Sequence, residues 1–272
     1  MRVAVVQMVS TADVATNLAV VARQLEAAAH ARADLAVLPE SFALFGGNQL
    51  ELAQAEGNFS GPVSRFICDN AKALGLWIVA GTLPVLTKAS NKPVARVHLV
   101  NSQGQCQSYY DKIHLFDADV ADGQGRYRES DTYHPGDTVH CCASPWGKLA
   151  LSVCYDLRFP ELYRRQRDLG AEWFIVPSAF TWRTGRAHWE VLCRARAIEN
   201  GCFLVASNQG GQHDEKRRTW GHSMVVDPWG DTQCLSDGEG QLVLDLDRNK
   251  LASVRKSMPT HLHRRANLAS SS

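Results

Sequence analysis

The stretch LALSVCYDLRFPE, residues 149–161, carries the strongest signal for the fold in this 272-residue chain. Its apolar half is typical of a buried strand, and Pro160 with Glu161 opens a helix. The strand stops at Cys154, so a rigid sheet is expected to hold this thiol toward a cleft. A thiol there can act as a nucleophile if a nearby base or cation favours its thiolate. The alternative is a buried core cysteine, since Cys is among the most buried residue types.

Strands and helices alternate along the rest of the chain in the same way. The pattern predicts strands at residues 3–8, 35–38, 76–80, 94–100, 149–153, 173–176 and 203–206, and helices at 14–32, 62–74, 160–169 and 188–200. Three of these helices are closed by a glycine, at Gly75, Gly170 and Gly201. Such alternation predicts an α/β layered fold. A hairpin over 94–110 makes the sheets mixed rather than purely parallel.

Composition predicts one globular domain over residues 1–272. Apolar residues make up 45% and charged residues 21% of the chain, which is enough to build a substantial core. The balance of 29 Lys and Arg against 28 Asp and Glu gives no electrostatic reason to expect nucleic acid or a membrane surface. A small-molecule substrate fits this composition better.

The expected compartment is the cytoplasm. The opening residues MRVAVVQMVSTAD do not resemble a signal peptide, and no apolar run approaches the roughly 18 residues of a membrane span. Eight cysteines occur without a CxxC pair or a zinc-like spacing, so reduced thiols are expected. The histidines also lack ligand-like spacing, and neither a metal nor an organic cofactor is predicted.

Two further segments carry side chains that can take part in catalysis. ADLAVLPES, residues 33–41, repeats the strand-to-turn pattern and ends near Glu40, where a partly buried carboxylate can serve as a general base. SYYDKIHLF, residues 108–116, holds Lys112 between aromatic and apolar residues, where an ammonium group can stabilise an oxyanion. The alternatives are an exposed glutamate that caps a turn and a lysine that extends to solvent along a strand.

Taken together, LPES (38–41), YDKIHLFD (110–117) and SVCYDLRFPEL (152–162) resemble, in this order, the three signatures of the nitrilase superfamily of carbon–nitrogen hydrolases. The resemblance continues through RESDTYHPGD (128–137) and GHSMVVDPWG (221–230) and covers nearly the whole chain. It implies a four-layer αββα sandwich. It also implies a hydrolysis reaction that requires neither a metal nor an organic cofactor. It also implies a homodimer or larger assembly, paired through the helical layer that includes residues 159–169.

The same resemblance implies a role for each matching residue. Glu40 is expected to take the thiol proton, and Cys154 to attack the amide carbonyl. Lys112 and the backbone N–H of Tyr155 are expected to stabilise the tetrahedral oxyanion. Glu129 matches a second glutamate that positions the lysine.

Within the superfamily, DKIHLFDADVADGQG (111–125), RESDTYHPG (128–136) and HWEVLCRARAIE (188–199) look most like the amidases that hydrolyse deaminated glutathione to 2-oxoglutarate and cysteinylglycine. This resemblance implies a metabolite-repair enzyme. Arg158 and Thr184 match positions that hold a substrate carboxylate in related amidases, a task that suits a guanidinium group. An ion pair within a loop or between subunits is the alternative for Arg158.

Other functions remain as alternatives. An ω-amidase acting on 2-oxoglutaramate uses the same machinery, and N-carbamoyl or nitrile hydrolysis is a more distant variant. A scaffold protein on a hydrolase fold is the alternative from another class. The vicinal Cys141 and Cys142 suggest a redox sensor or simple packing, and residues 116–137 form the longest predicted loop, which is expected to be functional.

Overall fold

Two six-stranded mixed sheets lie at the centre of the protein. The computed structural model describes residues 1–122 and 125–265. Its strands are β1 (Arg2–Gln7), β2 (Leu35–Val37), β3 (Trp77–Val85), β4 (Val94–Val100), β5 (Cys106–Asp111), β6 (Asp117–Asp119), β7 (Arg126–Arg128), β8 (Cys142–Ser144), β9 (Gly147–Leu151), β10 (Trp173–Ser178), β11 (Phe203–Asn208), β12 (Gly210–Gln212), β13 (Arg218–Trp220), β14 (Met224–Val226), β15 (Thr232–Cys234) and β16 (Gly240–Asp245). Its helices are α1 (Val14–His30), α2 (Gln49–Glu56), α3 (Pro62–Leu74), α4 (Pro160–Asp168), α5 (Trp182–Asn200), α6 (Arg248–Ser257) and α7 (Thr260–His263), with short 3₁₀ helices at Glu129–Asp131 and Cys154–Arg158.

Both sheets have the same pattern of a parallel centre with antiparallel edges. Sheet I has the strand order β16-β1-β2-β3-β4-β5, and sheet II has the order β15-β14-β11-β10-β9-β8. Strands β1, β2 and β3 are parallel, as are β9, β10 and β11. A parallel bridge between Met8 and Gln209 joins the chain just after β1 to the chain just after β11. The carboxyl ends of the parallel strands of both sheets therefore meet at one edge.

The inner faces of the two sheets form one apolar core. Residues in register on neighbouring parallel strands point to the same side, so Val5 lies beside Val37 in sheet I and Leu151 beside Ile175 in sheet II. These side chains are at most 1% exposed and belong to one cluster. Burying each of them contributes roughly 1.5–3 kcal/mol relative to leaving it exposed.

Helices cover the outer face of each sheet. The alternate residues of sheet I, such as Ala4 and Ile78, pack against α1 and α3 in a second apolar cluster. On sheet II, Tyr163 of α4 packs edge-on against Phe174 of β10, with ring centroids 5.0 Å apart. The layers are thus helix, sheet, sheet and helix, and the predicted αββα sandwich is confirmed. Every helix in the described part of the chain is too short or too polar to span a bilayer.

Two predictions about local structure were wrong. Helix α5 begins at Trp182 rather than at residue 188, because Thr181 caps it by accepting a hydrogen bond from the Thr184 N–H. The predicted loop at 116–137 contains the hairpin of β6 and β7, which is held by an ion pair between Arg128 and Asp119 at 3.0 Å. Its strands are polar and show no apolar alternation. Residues 123 and 124 of that loop lie outside the described residues.

Candidate active site

The four residues predicted to be catalytic lie together at the edge where the parallel strands end. Glu40 follows β2, Lys112 follows β5, Glu129 follows β7, and Cys154 follows β9. Glu40, Lys112 and Cys154 are 6%, 1% and 8% exposed. These three residues come from separate parts of the chain and meet in an environment from which water is largely excluded.

Lys112 is bonded to two carboxylates. Its Nζ lies 2.8 Å from Oε1 of Glu40 and 2.8 and 2.7 Å from the two oxygens of Glu129. The Phe116 N–H also donates to Glu129, at 2.6 Å. These bonds fix the ammonium group between the carboxylates, and buried ionic groups require such pairing.

Close backbone packing positions the loop that carries Glu40. Gly81 interrupts the register of β3, and a Cβ atom there would lie 1.9 Å from the Pro39 carbonyl oxygen. Only glycine permits this approach. The Glu40 carbonyl accepts a hydrogen bond from Nε2 of Gln209 at 3.0 Å, and the Ser41 N–H donates to Oγ1 of Thr82 at 2.9 Å. The base candidate is thus attached to both sheets.

Cys154 occupies a strained turn between β9 and the 3₁₀ helix. Its φ of 46° lies in the left-handed region, which non-glycine residues seldom adopt and which often marks a functional site. Burial raises the pKa of the thiol well above its ordinary value, and the nearby Glu40 raises it further. Lys112 and a hydrogen bond from the Ala179 N–H act in the opposite direction. The resting thiol is therefore protonated and needs an adjacent base.

The charge states of the neighbours follow from the same contacts. Burial alone would lower the pKa of Lys112, but Glu129 and Glu40 outweigh it and hold the pKa well above its usual value. Burial raises the pKa of Glu129 more than Lys112 lowers it, and Glu40 adds to the increase. The site thus combines a proton acceptor, a permanent cation and a thiol, which is the equipment for nucleophilic attack on a carbonyl.

A cavity of about 330 Å³ opens above these residues. Its floor contains Glu40, Lys112 and Cys154, and its walls include Phe116 and Tyr133. The Tyr133 hydroxyl donates to Oε1 of Gln49, a residue of α2, at 3.0 Å. Burial, followed by the charges of Glu129 and Glu40, raises the pKa of Tyr133, so its hydroxyl stays protonated. Tyr133 lies in the RESDTYHPGD motif, which by itself indicates no role for this residue.

A second, much smaller cavity of about 20 Å³, here called the annex, adjoins the first at Cys154. It is lined by both residues predicted to bind a carboxylate, Arg158 and Thr184, and by the ring of Tyr155. Arg158 bonds to Nδ1 of His188 at 3.1 Å, and Thr184 bonds to Thr181 at 2.9 Å. In the part of the chain that the structure describes, no carboxylate forms an ion pair with Arg158. The alternative of an ion pair within the loop is therefore wrong for the described residues.

Asp156 is the main site residue that the sequence did not indicate. It is completely buried and accepts four hydrogen bonds. One oxygen accepts from the backbone N–H and the ring Nδ1 of His114 at 3.0 and 2.7 Å. The other accepts from the Tyr110 hydroxyl at 2.8 Å and the Val153 N–H at 2.9 Å. Asp156 therefore joins the chain beside Lys112 to the turn that carries Cys154.

Asp156→Asn is expected to lower the free energy of unfolding by about 2–4 kcal/mol, because its amide N–H₂ would face donors on either side. Urea unfolding at constant m-value measures this change. Tyr110→Phe removes only one of the four bonds and is the matched control, with an expected loss of about 1–2 kcal/mol. Equal losses in the two variants would contradict the central role given to the carboxylate.

A larger cavity, about 770 Å³, lies away from the candidate catalytic groups beside β4 and β5. Its buried cation, Arg96, is already bonded to both oxygens of Asp111 at 2.5 and 2.8 Å. Size alone therefore does not mark the reactive site. Within the described residues, no group of three His, Cys, Asp or Glu side chains is arranged to hold a metal ion.

The chain is similar to known proteins over nearly its whole length. The sequence matches the carbon-nitrogen hydrolase family over residues 2–256. The deaminated glutathione amidase of Yersinia enterocolitica is 40% identical over 266 residues, which cover 97% of this chain and 93% of that protein. The deaminated glutathione amidase of Homo sapiens is 40% identical over 271 residues, which cover 98% of this chain and 83% of that protein. The crystal structure of the C. elegans NitFhit protein superposes with a TM-score of 0.89 at 36% identity; the match covers 97% of this chain and 65% of that longer chain.

Proposed function

This chain belongs to the carbon-nitrogen hydrolase family, and on that premise we propose that it hydrolyses deaminated glutathione to 2-oxoglutarate and cysteinylglycine. It is a hydrolase of carbon–nitrogen bonds other than peptide bonds. The observation that carries the proposal is the buried Lys112, bonded to Glu40 and Glu129 beside the Cys154 thiol. This arrangement supports acyl transfer through a thioester.

In the first half of the reaction, Glu40 takes the proton of Cys154 and the sulfur attacks the amide carbonyl carbon. The raised pKa of the thiol makes this transfer necessary. The oxyanion that forms is stabilised by Lys112 and by the backbone N–H of Tyr155. Tyr155 lies in the first turn of a 3₁₀ helix, where N–H groups lack partners within the helix. The amine leaves with the proton that Glu40 returns.

In the second half, water replaces the amine. Glu40 removes a proton from the water as its oxygen attacks the thioester carbonyl. The carbon–sulfur bond then breaks, and Glu40 returns the proton to the sulfur of Cys154. Glu129 contributes by holding Lys112, since both of its oxygens lie within 2.8 Å of the ammonium nitrogen. Every proton transfer is completed by these groups, so the proposed cycle requires neither metal nor organic cofactor.

The substrate proposal rests on two observations. The relatives from Yersinia enterocolitica and Homo sapiens both carry the name deaminated glutathione amidase. Arg158 lines the annex beside Cys154 and forms no ion pair within the described residues, so its guanidinium group is available for the carboxylate next to the keto group. Thr184 lines the same annex and can donate a hydrogen bond to that carboxylate.

The test compares 2-oxoglutarate release from deaminated glutathione and from 2-oxoglutaramate as kcat/KM. We expect deaminated glutathione to be the better substrate. A preference for 2-oxoglutaramate would instead indicate an ω-amidase with the same mechanism. If neither compound is hydrolysed, the substrate assignment fails, and assays with N-carbamoyl compounds and nitriles would follow.

We also propose that the protein forms a homodimer through the outer face of sheet II. Val191 and Ile198, two turns apart on α5, are 67% and 46% exposed, and Trp229 beside them is 56% exposed. Arg194 attaches the Trp229 loop to α5 by donating to the Gly230 carbonyl at 3.1 Å. Large apolar side chains grouped in this way are typical of an interface. The patch lies next to α4, part of the helical layer through which the resemblance implies pairing.

Ile198→Glu is expected to weaken the dimer by about 2 kcal/mol or more, because it places a charge in the apolar patch. Light scattering during size-exclusion chromatography at several concentrations measures the shift toward monomer. Leu50→Glu, on the opposite side of the molecule and 42% exposed, is the control and should leave the mass unchanged. A wild-type protein that is monomeric throughout would contradict the proposed dimer.

The cytoplasm remains the proposed compartment. All eight cysteines are free thiols. Proteins with many unpaired cysteines are typical of reducing compartments. Cell fractionation followed by immunoblotting tests this placement, and recovery of the protein in an oxidising compartment would contradict it.

A further inference from the structure

The catalytic cavity continues outward on the side opposite Arg158. Cys154, Ala179 and Thr181 line both the annex and the 330 Å³ cavity, so the two spaces adjoin at the nucleophile. Exposure increases toward the other rim of the cavity. The Lys112 side chain on the floor is 2% exposed, and the Arg217 side chain at the rim is 32% exposed. A substrate bound by Arg158 would thus extend past the nucleophile toward Arg217.

Arg217 is held in place but keeps two donor nitrogens free. Its Nε donates to Asp214 at 2.6 Å, and its guanidinium carbon lies 5.1 Å from the centre of the Phe45 ring. Its terminal nitrogens face Gly46, where a Cβ atom would lie 2.3 Å from Nη2 and 3.3 Å from Nη1. In the described part of the chain, neither terminal nitrogen has a hydrogen-bond partner. Glycine at position 46, with φ of 84°, leaves the space that this guanidinium group occupies.

The other rim cation is already engaged. Arg128 also lines the cavity, but its Nη1 donates to the Tyr127 carbonyl at 2.7 Å and its Nη2 bonds to Asp119 at 3.2 Å. Arg217 is therefore the better placed of the two for an added anion. Asp214 offsets part of its charge but occupies only the Nε side of the group.

We propose that Arg217 binds the carboxylate at the far end of the leaving amine and so selects substrates whose leaving group is a short peptide with a free C-terminal carboxylate. The inference rests on the proposed function. Cysteinylglycine carries its carboxylate two residues from the scissile nitrogen, a reach of roughly 7 Å when extended. This places the anion beyond the catalytic groups and toward the rim. The two free nitrogens of a guanidinium group match the two oxygens of a carboxylate.

The experiment measures kcat/KM for three compounds: deaminated glutathione, its analogue with the glycine carboxylate converted to a primary amide, and 2-oxoglutaramate. In Arg217→Ala, the ratio of deaminated glutathione to 2-oxoglutaramate is expected to fall about 10- to 100-fold, as for loss of a charge-assisted hydrogen bond. Most of this loss should appear in KM. For the wild-type protein, kcat/KM on the amide analogue should be lower than on deaminated glutathione by a similar factor. The substrate ratio of Arg217→Lys should lie between those of the wild type and Arg217→Ala.

Arg218→Ala is the matched control. It removes the same charge one residue away, but Arg218 pairs with Asp237 at 2.8 Å and does not line the 330 Å³ cavity. Its substrate ratio should equal that of the wild type. An equal fall in both variants, or no fall in Arg217→Ala, would overturn the inference while leaving the proposed function intact. A wild-type protein that does not cleave deaminated glutathione would overturn both.

Discussion

Cys154→Ala is expected to reduce kcat/KM by at least about 10⁴-fold, because no thioester can form without the sulfur. The variant should remain folded, since the change removes one small buried atom from a site that is 8% exposed. Single-turnover assays of 2-oxoglutarate release measure the loss, and circular dichroism with thermal unfolding checks the fold. Contaminating wild-type protein would mimic residual activity of the variant, so the two proteins must be purified on separate columns.

A second buried cysteine provides the control for this prediction. Cys193 on α5 is 0% exposed and lies outside the catalytic cavity. Cys193→Ala should cost stability through lost packing but keep activity. Retention of more than about 1% activity in Cys154→Ala would indicate another nucleophile or a non-covalent path. It would also revive the view of this chain as a scaffold protein on a hydrolase fold.

Lys112→Met is expected to be both inactive and less stable by about 3–5 kcal/mol near neutral pH, because it leaves the Glu40 and Glu129 carboxylates buried without their cation. The activity should fall by at least about 10³-fold through loss of the oxyanion contact. Urea unfolding of variant and wild type at several pH values measures the stability difference.

The pH dependence of this difference has a definite sign. Burial already raises the pKa of Glu129 in the folded protein, and removal of Lys112 raises it further. A group whose pKa is higher in the folded than in the unfolded state stabilises the fold below its unfolded pKa, and that stability is lost as pH rises through the folded value. The free energy of unfolding of the variant should therefore approach that of the wild type near pH 4.5, the ordinary pKa of a glutamate. It should fall below the wild-type value at higher pH.

The double variant Lys112→Met with Glu129→Gln separates the charge effect from simple loss of packing. Removing one buried charge of each sign should restore part of the lost stability, although not the activity. If the double variant is less stable than Lys112→Met alone at neutral pH, the unpaired Glu129 carboxylate is not the cause of the stability loss in Lys112→Met. The ion cluster would then have to be reconsidered as a packing feature.

Much of the fold could be predicted because local patterns agreed with the tertiary structure. The strand at Val94–Val100 and the helix at Pro62–Leu74 were predicted with their observed bounds, since Pro62 opens that helix and Gly75 closes it. Helix α2 was missed because its apolar residues do not form a clear stripe. The early start of α5 was missed because Gly185 suggests a break, whereas in the fold it lets the helix approach Trp220 closely.

The candidate site was harder to predict from local patterns. Glu40 and Cys154 stood out because each follows a strand, and Lys112 because it lies between aromatic and apolar residues. Their three motifs together also resemble one superfamily. Their contact depends on how two sheets stack, which no short segment encodes. Asp156 was not singled out because its four hydrogen bonds come from three residues, two of which, Tyr110 and His114, are distant in sequence. A lone Asp near a helix start usually caps it. Arg217 lies in the charged run EKRR, residues 215–218, which by itself is typical of a solvated polar loop.

The pairing of β1 with β16 has a consequence for synthesis on the ribosome. Arg2 bonds to Asp245 across 243 residues of sequence. One edge of β1 therefore lacks its partner strand until β16 has been translated. Pairings of such long range form slowly, and an open strand edge can recruit other chains. The nascent chain is thus exposed to misassembly for most of its translation, and a chaperone that shields β1 would raise the yield of active protein.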